Sequence, residues 1–477
     1  MRIRGARVAV SVACLYVGVG LAAPAGAVRP AASITLGRTV GPPTTRTTLS
    51  GSGFGSSEVL DVRFDAVPLR RAVTGPGGRF LTRVTIPASA LPGPHAVQAT
   101  GETSGRSGTA TFTVRTDWST FHFDSHHTGW NRVENVLDPS NVGRLALRWR
   151  FPTGSFVRSS PAVAGGVLYV GSFDHRIYAV RASTGALAWS FLTGSFVWSS
   201  PAVANGVVYV GSGYPDGTVY ALRASTGAKL WTFHTGSIGS SSPAVVGKVV
   251  YVASDDPVGI VYALDASTGA ERWSFGTGDF VDSSPAVSGG VVYVGSDNGD
   301  LYALDASTGI LRWSFATGSS VMSSPTVAGG LVYVGSDDYR LYALDASTGI
   351  LRWSFGSLSP IRSCPAVANG VVYVGSEDYH VYALDAATGN VLWGFNAGAN
   401  IEDSPAVANG VVYVASIDNQ DRLYALDAVT GTELWSYQVG SGGPLSSPAV
   451  ADGVVYVGAE DDGVYAFSLG PSRHLRP

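Results

Sequence analysis

The chain has 477 residues, 45% of them hydrophobic and 14% charged, which excludes a disordered or fibrous polymer and leaves room for two or three folded domains. Its formal charge of −4 excludes the basic excess on which non-specific nucleic-acid binding depends. With 61 Gly, 25 Pro, 21 Tyr, 18 Phe and 11 Trp, the composition favours short strands joined by tight turns, so an all-β fold is expected.

Residues 1–27 read as a signal peptide: Arg2, Arg4 and Arg7 precede an apolar run from Val8 to Ala23, and Ala25-Gly26-Ala27 offers small residues for cleavage. Export to the medium or cell envelope is therefore expected. With Cys14 removed, Cys364 alone cannot form an intramolecular disulfide, so stability must come from packing. No later stretch has the length and continuity of a membrane span. From 32 to 115, alternating runs such as Val59-Leu60-Asp61-Val62-Arg63-Phe64 and Thr109-Ala110-Thr111-Phe112-Thr113-Val114 lie between Gly, Pro and Ser turns, the pattern of a small β-sandwich. Phrases such as Gly51-Ser52-Gly53-Phe54 resemble those of bacterial immunoglobulin-like modules. Residues 116–144 form a linker whose Trp118, Phe121, Phe123 and Trp130 are expected to pack on the domain that follows.

From 145 to 470 one phrase recurs: Ser-Pro-Ala-Val, a Gly turn, Val-Val-Tyr-Val-Gly-Ser, a variable loop, Tyr-Ala-Leu-Asp-Ala-Ser-Thr-Gly, and a Trp run. Its prolines, Pro161, Pro201, Pro243, Pro285, Pro325, Pro365, Pro405 and Pro448, recur every 40 to 43 residues. Four short strands per period, here called A to D, are the signature of propeller blades. In one unit strand A is Ser284 to Val287, B is Val291 to Gly295, C is Leu301 to Leu304 and D is Leu311 to Phe315. The tryptophans Trp149, Trp189, Trp231, Trp273, Trp313, Trp353, Trp393 and Trp435 run one strand ahead of the prolines. Leu145 to Phe151 is thus a D strand without A to C, and Pro448 to Leu469 has A to C without D. Joining them removes two exposed sheet edges and predicts an eight-bladed ring closed by its N-terminal strand. Residues 471–477 are a tail.

The phrase Ala263-Leu264-Asp265-Ala266-Ser267-Thr268-Gly269-Ala270-Glu271-Arg272-Trp273 resembles the docking motif of pyrroloquinoline-quinone (PQQ) type propeller repeats, quinoprotein alcohol dehydrogenase-like. Five units match it fully, and two carry Arg181 and Arg223 in place of the Asp. The resemblance implies that the tryptophans pack between neighbouring blades. The family holds both PQQ-dependent dehydrogenases and non-catalytic scaffolds of the outer-membrane assembly lipoprotein kind. The dehydrogenases clamp the quinone beneath a disulfide of adjacent cysteines, which Cys364 alone cannot supply, and their calcium site uses longer loops. The scaffold branch is therefore expected: a secreted, monomeric binding protein with a protein or peptide partner, no metal and no cofactor. The alternative is a PQQ- and calcium-dependent dehydrogenase with Asp282 or Glu402 as base and Trp198 as a stacking floor.

The A–B and C–D turns share one face and barely vary, whereas the B–C loops and D–A connections share the other and do. Three residues before each proline stand Arg158, Trp198, Ser240, Asp282, Met322, Arg362, Glu402 and Leu445, expected to ring the channel mouth as a candidate ligand site. Arg158 or Arg362 could fork a carboxylate, with Trp198 adding apolar area. The alternative is a wet channel lined by solvated, oppositely charged neighbours. Acidic B–C loops, from Asp174 to Asp462, suggest either an attractive rim or ordinary turn chemistry, and the second is favoured. His122, His126, His127 and Asp124 have superficial metal-ligand spacing but are read as linker, and Cys364 as a buried thiol in a Ser slot.

Overall fold

The computed structural model describes residues 31–256, 258–417, 421–440 and 446–470. The leader, Cys14, Asp418, Leu445 and the tail lie outside the described residues. Contacts divide the chain into two compact units. The smaller draws on residues 31–37, 46–84 and 96–111. Its strands Ser33–Leu36, Arg46–Ser52 and Phe80–Thr85 form one sheet, while Val59–Phe64 lies between Val67–Val73 and Gly93–Gly101 in another. Alternate residues Leu60, Val62 and Phe64 are buried, the period of two that a one-sided sheet demands.

The larger unit is a β-propeller. Four-stranded antiparallel sheets follow one another, beginning with Ala162–Ala164, Val167–Ser172, Arg176–Arg181 and Leu187–Leu192. In the unit read above, the strands are Ala286–Ser288, Val291–Gly295, Asp300–Asp305 and Leu311–Ala316, within two residues of the expectation at every end. Each A strand touches the A strand of the next sheet, and the last, Ala449–Ala451, touches the first, Ala162–Ala164. Leu145–Pro152 pairs antiparallel with Gly463–Leu469, Trp149 opposite Ala466, so the final sheet takes its outer strand from the start of the repeats.

The tryptophans lock the sheets together through one repeated geometry. Trp273 Nε1 donates to the Ala306 carbonyl of the next sheet at 3.1 Å, and its indole lies over Gly309, where an added Cβ would come within 2.6 Å of the ring. Gly309 also has φ +72°, a conformation that only glycine adopts freely. The Asp305 carboxylate shapes the same turn: Oδ1 accepts from the Ser307 and Thr308 amides, both at 3.0 Å, while Oδ2 accepts from Arg312 at 2.6 Å. The Arg312 and Ser307 bonds hold that carboxyl below the usual carboxylate range. At the closure Trp435 donates to the Leu145 carbonyl at 3.1 Å, using the borrowed strand where other tryptophans use an alanine.

Replacing Gly309 by Ala should cost about 3 kcal/mol, from the positive φ and the displaced indole together. Gly289→Ala, at a turn with positive φ but open space around it, should cost about 1 kcal/mol. Urea unfolding midpoints of the two variants check the difference.

Candidate functional site

Within its own blade the A strand of each sheet pairs only with the B strand, so its other edge, with N–H and C=O groups that the blade leaves unpaired, faces the central channel. The linker answers this need. Trp118 pairs with Val163 in both directions, its amide to the Val163 carbonyl at 2.9 Å and its carbonyl accepting from Val163 at 2.6 Å. The carbonyls of Ser119, Ser125, His126, Thr128 and Gly129 then accept in turn from the amides of Val203, Val287, Val327, Val367 and Val407, at 2.6 to 2.8 Å. Trp130–Asn131 adds a short parallel strand beside Ala406–Ala408, and the Asn131 amide donates to the Val450 carbonyl at 2.8 Å. Residues 118–131 therefore pack on the blades as a collar inside the channel.

The collar's turns are held by its own polar groups. Asp124 accepts from the His126 and Thr128 amides and from the Thr128 hydroxyl. His122 is buried with Nδ1 2.6 Å from the His127 carbonyl and Nε2 2.9 Å from the Pro405 carbonyl. His127 faces the Pro325 carbonyl at 3.2 Å. Burial lowers the pKa of both rings, His127 to about 3, and through Nε2 of His122 and Nδ1 of His127 the two side chains meet the Pro405 and Pro325 carbonyls of the blades. Among the described residues no cluster of three or more His, Cys, Asp or Glu converges as metal ligands.

On the B–C and D–A side of the collar lies a cavity of about 190 Å³, with Phe121 lining it from the collar. The residue before each repeat proline contributes to its wall: Ser160, Ser200, Ser242, Ser284, Ser324, Cys364, Ser404 and Ser447. These side chains form a belt. Ser200 Oγ accepts from the Ser160 amide, Ser242 from Ser200, Ser284 from Ser242 and Ser324 from Ser284, each at 2.9 Å. Cys364 interrupts the row with Sγ 3.3 Å from His122 Nδ1, and burial pushes its thiol up to about 12, which leaves no thiolate for nucleophilic work.

Seven of the eight expected mouth residues, Arg158, Trp198, Ser240, Asp282, Met322, Arg362 and Glu402, line this same cavity. Both arginines are engaged by carboxylates of their own face. Arg362 makes two bonds to Asp337, at 3.0 and 2.9 Å, and approaches Glu377 at 3.1 Å. Arg158 bonds Glu460, with its guanidinium 5.0 Å from the Trp198 ring centre and 5.9 Å from Phe173. Trp198 is thereby covered by a cation, with Phe173 and Phe196 stacked beside it at 5.0 Å. Ser240 Oγ donates to Asp282 Oδ1 at 2.8 Å.

The acidic loops divide into two sets. Asp174, Asp216, Asp338 and Asp378 accept from a tyrosine hydroxyl four residues on, at 2.5 to 2.8 Å, and from a backbone amide of the preceding D–A connection. That is turn chemistry. Asp255 and Asp297 instead face Asp282, and partial burial followed by that like charge raises both to about 6. Asp403, in the seat of a serine, also lines the cavity and was not singled out by the channel-mouth spacing.

A larger cavity of about 720 Å³ opens on the opposite face, between A–B turns and the collar, with Trp130, Arg132, Tyr293 and Tyr333 among its lining. Nothing in the near-invariant turn sequences marks it. It exists because the collar's far side meets the grooves between sheets.

Folded pKa values above the ordinary aspartate value mean that Asp255 and Asp297 carry no penalty below about pH 4 and destabilise increasingly as pH rises through about 6. Asp255→Asn and Asp297→Asn should each stabilise the protein by about 1 kcal/mol at pH 8, after discounting for solvent screening, and by nothing at pH 4. Thermal melts at the two pH values check this; an equal gain at both contradicts it.

Residues 137–274, 257–361, 330–402 and 377–470 match the family described as outer membrane protein assembly factor BamB. No curated protein sequence matches the chain. Among solved structures, quinohemoprotein alcohol dehydrogenase ADHIIG from Pseudomonas putida HK5 is 18% identical, superposes with a TM-score of 0.65, and shares 76% of this chain and 81% of its own. BamB from Moraxella catarrhalis is 21% identical with a TM-score of 0.58, over 69% of this chain and 99% of its own. The computationally designed protein Ika8 is 20% identical with a TM-score of 0.59, over 66% of this chain and 97% of its own. At these identities the likeness is one of fold.

Proposed function

The chain belongs to the BamB family of PQQ-type repeats, and from that premise we propose that it is a non-catalytic binding protein that engages a protein or peptide partner in the cell envelope or medium. In this reading residues 1–27 direct export, an immunoglobulin-like module spans 32–115, and a monomeric eight-bladed ring closed by Leu145–Pro152 carries the binding surface. No helix among the described residues is long and apolar enough to cross a membrane.

The observation that carries this reading is the engagement of both mouth arginines by carboxylates of their own face. PQQ is a polyanion, and a pocket for it needs cations in excess. Around this cavity stand Asp282, Glu402, Asp403, Glu460, Asp337 and Glu377, against Arg158 and Arg362. The volume of about 190 Å³ suits a side chain better than a tricyclic quinone, and no group of three or more His, Cys, Asp or Glu side chains that could hold a metal ion occurs among the described residues. The residues present do not fit that cofactor, so no hydride-transfer role is assigned to Asp282 or Glu402.

Reconstitution tests the reading. Purified protein mixed with PQQ and Ca²⁺ should bind the quinone no more tightly than serum albumin does and should reduce no dye when given alcohols. Stoichiometric, tight quinone binding with alcohol-dependent dye reduction would make the protein a dehydrogenase instead.

A further inference from the structure

Five units hold their C–D turn with an aspartate, and two adjacent units put an arginine in its place. Asp265, Asp305, Asp345, Asp385 and Asp427 each accept at Oδ1 from the amides two and three residues on, at 2.8 to 3.1 Å, and from a threonine hydroxyl at 2.8 to 3.2 Å. The seat of that carboxylate is a small cradle of N–H and O–H donors. Arg181 and Arg223 stand at the same position in the first two repeats.

The turn at Arg223 keeps its shape without the aspartate. Gly227 donates to the Arg223 carbonyl at 2.8 Å, as Gly309 does to the Asp305 carbonyl. The Ser225 amide and hydroxyl correspond to the Ser307 donors that Asp305 satisfies, and among the described residues they have no acceptor. The exposed Arg223 guanidinium has no hydrogen-bond or ion-pair partner among them either. Exchanging Asp for Arg thus gives up charge-assisted bonds within the turn and gains no internal contact that replaces them. Departures of this kind concentrate at sites that bind something.

The groove beside the turn has changed as well. Between the sheets that start at Ala244 and Ala286, the space bounded by Tyr251, Arg272 and Gly290 is about 370 Å³, and Asp305 on its wall is bonded to Arg312. The equivalent space between the sheets that start at Ala162 and Ala202 is bounded by Tyr169, Ala188 and Gly206 and measures about 600 Å³, with Arg223 in the seat of Asp305. A methyl in place of a long guanidinium stem opens it. Trp189 and Tyr169 spend their polar ends on the Ala224 carbonyl, at 2.8 and 3.2 Å, and leave their ring surfaces to the groove. No carboxylate lines it, and Asp117, which accepts from the Gly165 amide at 3.3 Å, stands outside the lining.

We propose that this groove docks an acidic peptide segment of a partner protein, one carboxylate side chain of which takes the seat that Asp305 fills in its own unit. The incoming carboxylate accepts from the Ser225 amide and hydroxyl and pairs with Arg223, while an adjoining apolar side chain lies on Trp189 and Tyr169. The volume of about 600 Å³ has room for both. Arg181 repeats the exchange one unit earlier and adds a second positive charge to the same face, which attracts an acidic partner and repels a basic one. The inference rests on the protein-binding reading and names the chemistry of the partner.

Chemical-shift titration of the full protein with a capped leucyl-aspartyl-leucine peptide, beside its leucyl-asparaginyl-leucine counterpart, tests the assignment. Saturable shifts at the Ser225 amide and the Trp189 indole N–H are expected with the aspartyl peptide alone. Arg223→Asp, which gives the turn its own carboxylate, should weaken binding at least about tenfold and raise the melting temperature of the ligand-free protein. Leu392 and Leu434 stand where Arg312 does, yet Asp385 and Asp427 keep their bonds, so Leu230 does not prevent the cap in that variant. Arg223→Ala should weaken binding without raising the melting temperature. The assignment is overturned if the aspartyl peptide shifts neither signal, if the asparaginyl peptide binds equally, if Arg223→Asp keeps wild-type affinity, or if Arg223→Asp gives no rise in melting temperature. Each of these leaves the quinone test, and with it the non-catalytic reading, untouched.

Discussion

A ring of sheets arranged around an axis leaves the inner edge of every sheet without a strand to pair with. That constraint governs this molecule. Sheet edges on the outside can be wetted, but here the inner edges converge on a narrow channel, and the linker at 118–131 supplies the carbonyls they lack, one sheet after another. The histidines that looked like metal ligands serve this end, as anchors whose ring nitrogens face backbone carbonyls of the blades. The collar lines two cavities, a smaller polar one of about 190 Å³ and a larger, more apolar one of about 720 Å³. The candidate site inherits its depth from the collar and its variety from the D–A connections.

The packing between sheets is uniform and the mouth is not. A tryptophan over a turn glycine, an indole N–H to a carbonyl and an Asp-capped hairpin repeat with little change, so small differences in that layer would strain the ring. The mouth residues stand on the last turn before each A strand, where packing asks only for a backbone that reaches the proline. Charge accumulates there. Arg158 and Arg362 each sit beside carboxylates, and partial burial together with the like charge of Asp282 raises the pKa values of Asp255 and Asp297.

Much of the fold is legible in the sequence because the repeat states its own grammar: turn glycines, a capping Asp and a Trp at fixed spacing place strand ends to within a residue or two. The closing strand is legible from the offset between prolines and tryptophans. The ring of mouth residues is legible as a variable slot in a fixed phrase. The arginine partners are not, because Glu460 lies 302 residues from Arg158 and only the closed ring brings them together. The collar is not legible either, since its bonds run through backbone carbonyls that carry no residue signature. Asp403 had a signal, an acid in a serine slot, one residue away from the position that the mouth spacing selects.

Hydrogen exchange read at single amides tests the collar most directly. The amides of Val203, Val287, Val327, Val367 and Val407 point away from their own sheets, so any slow exchange must come from the linker carbonyls. They should exchange as slowly as the B-strand amides of the same sheets, whereas Val245, which no collar carbonyl reaches among the described residues, should exchange faster. Exchange at all six as fast as in the A–B turns would mean that the linker does not seal the inner edges.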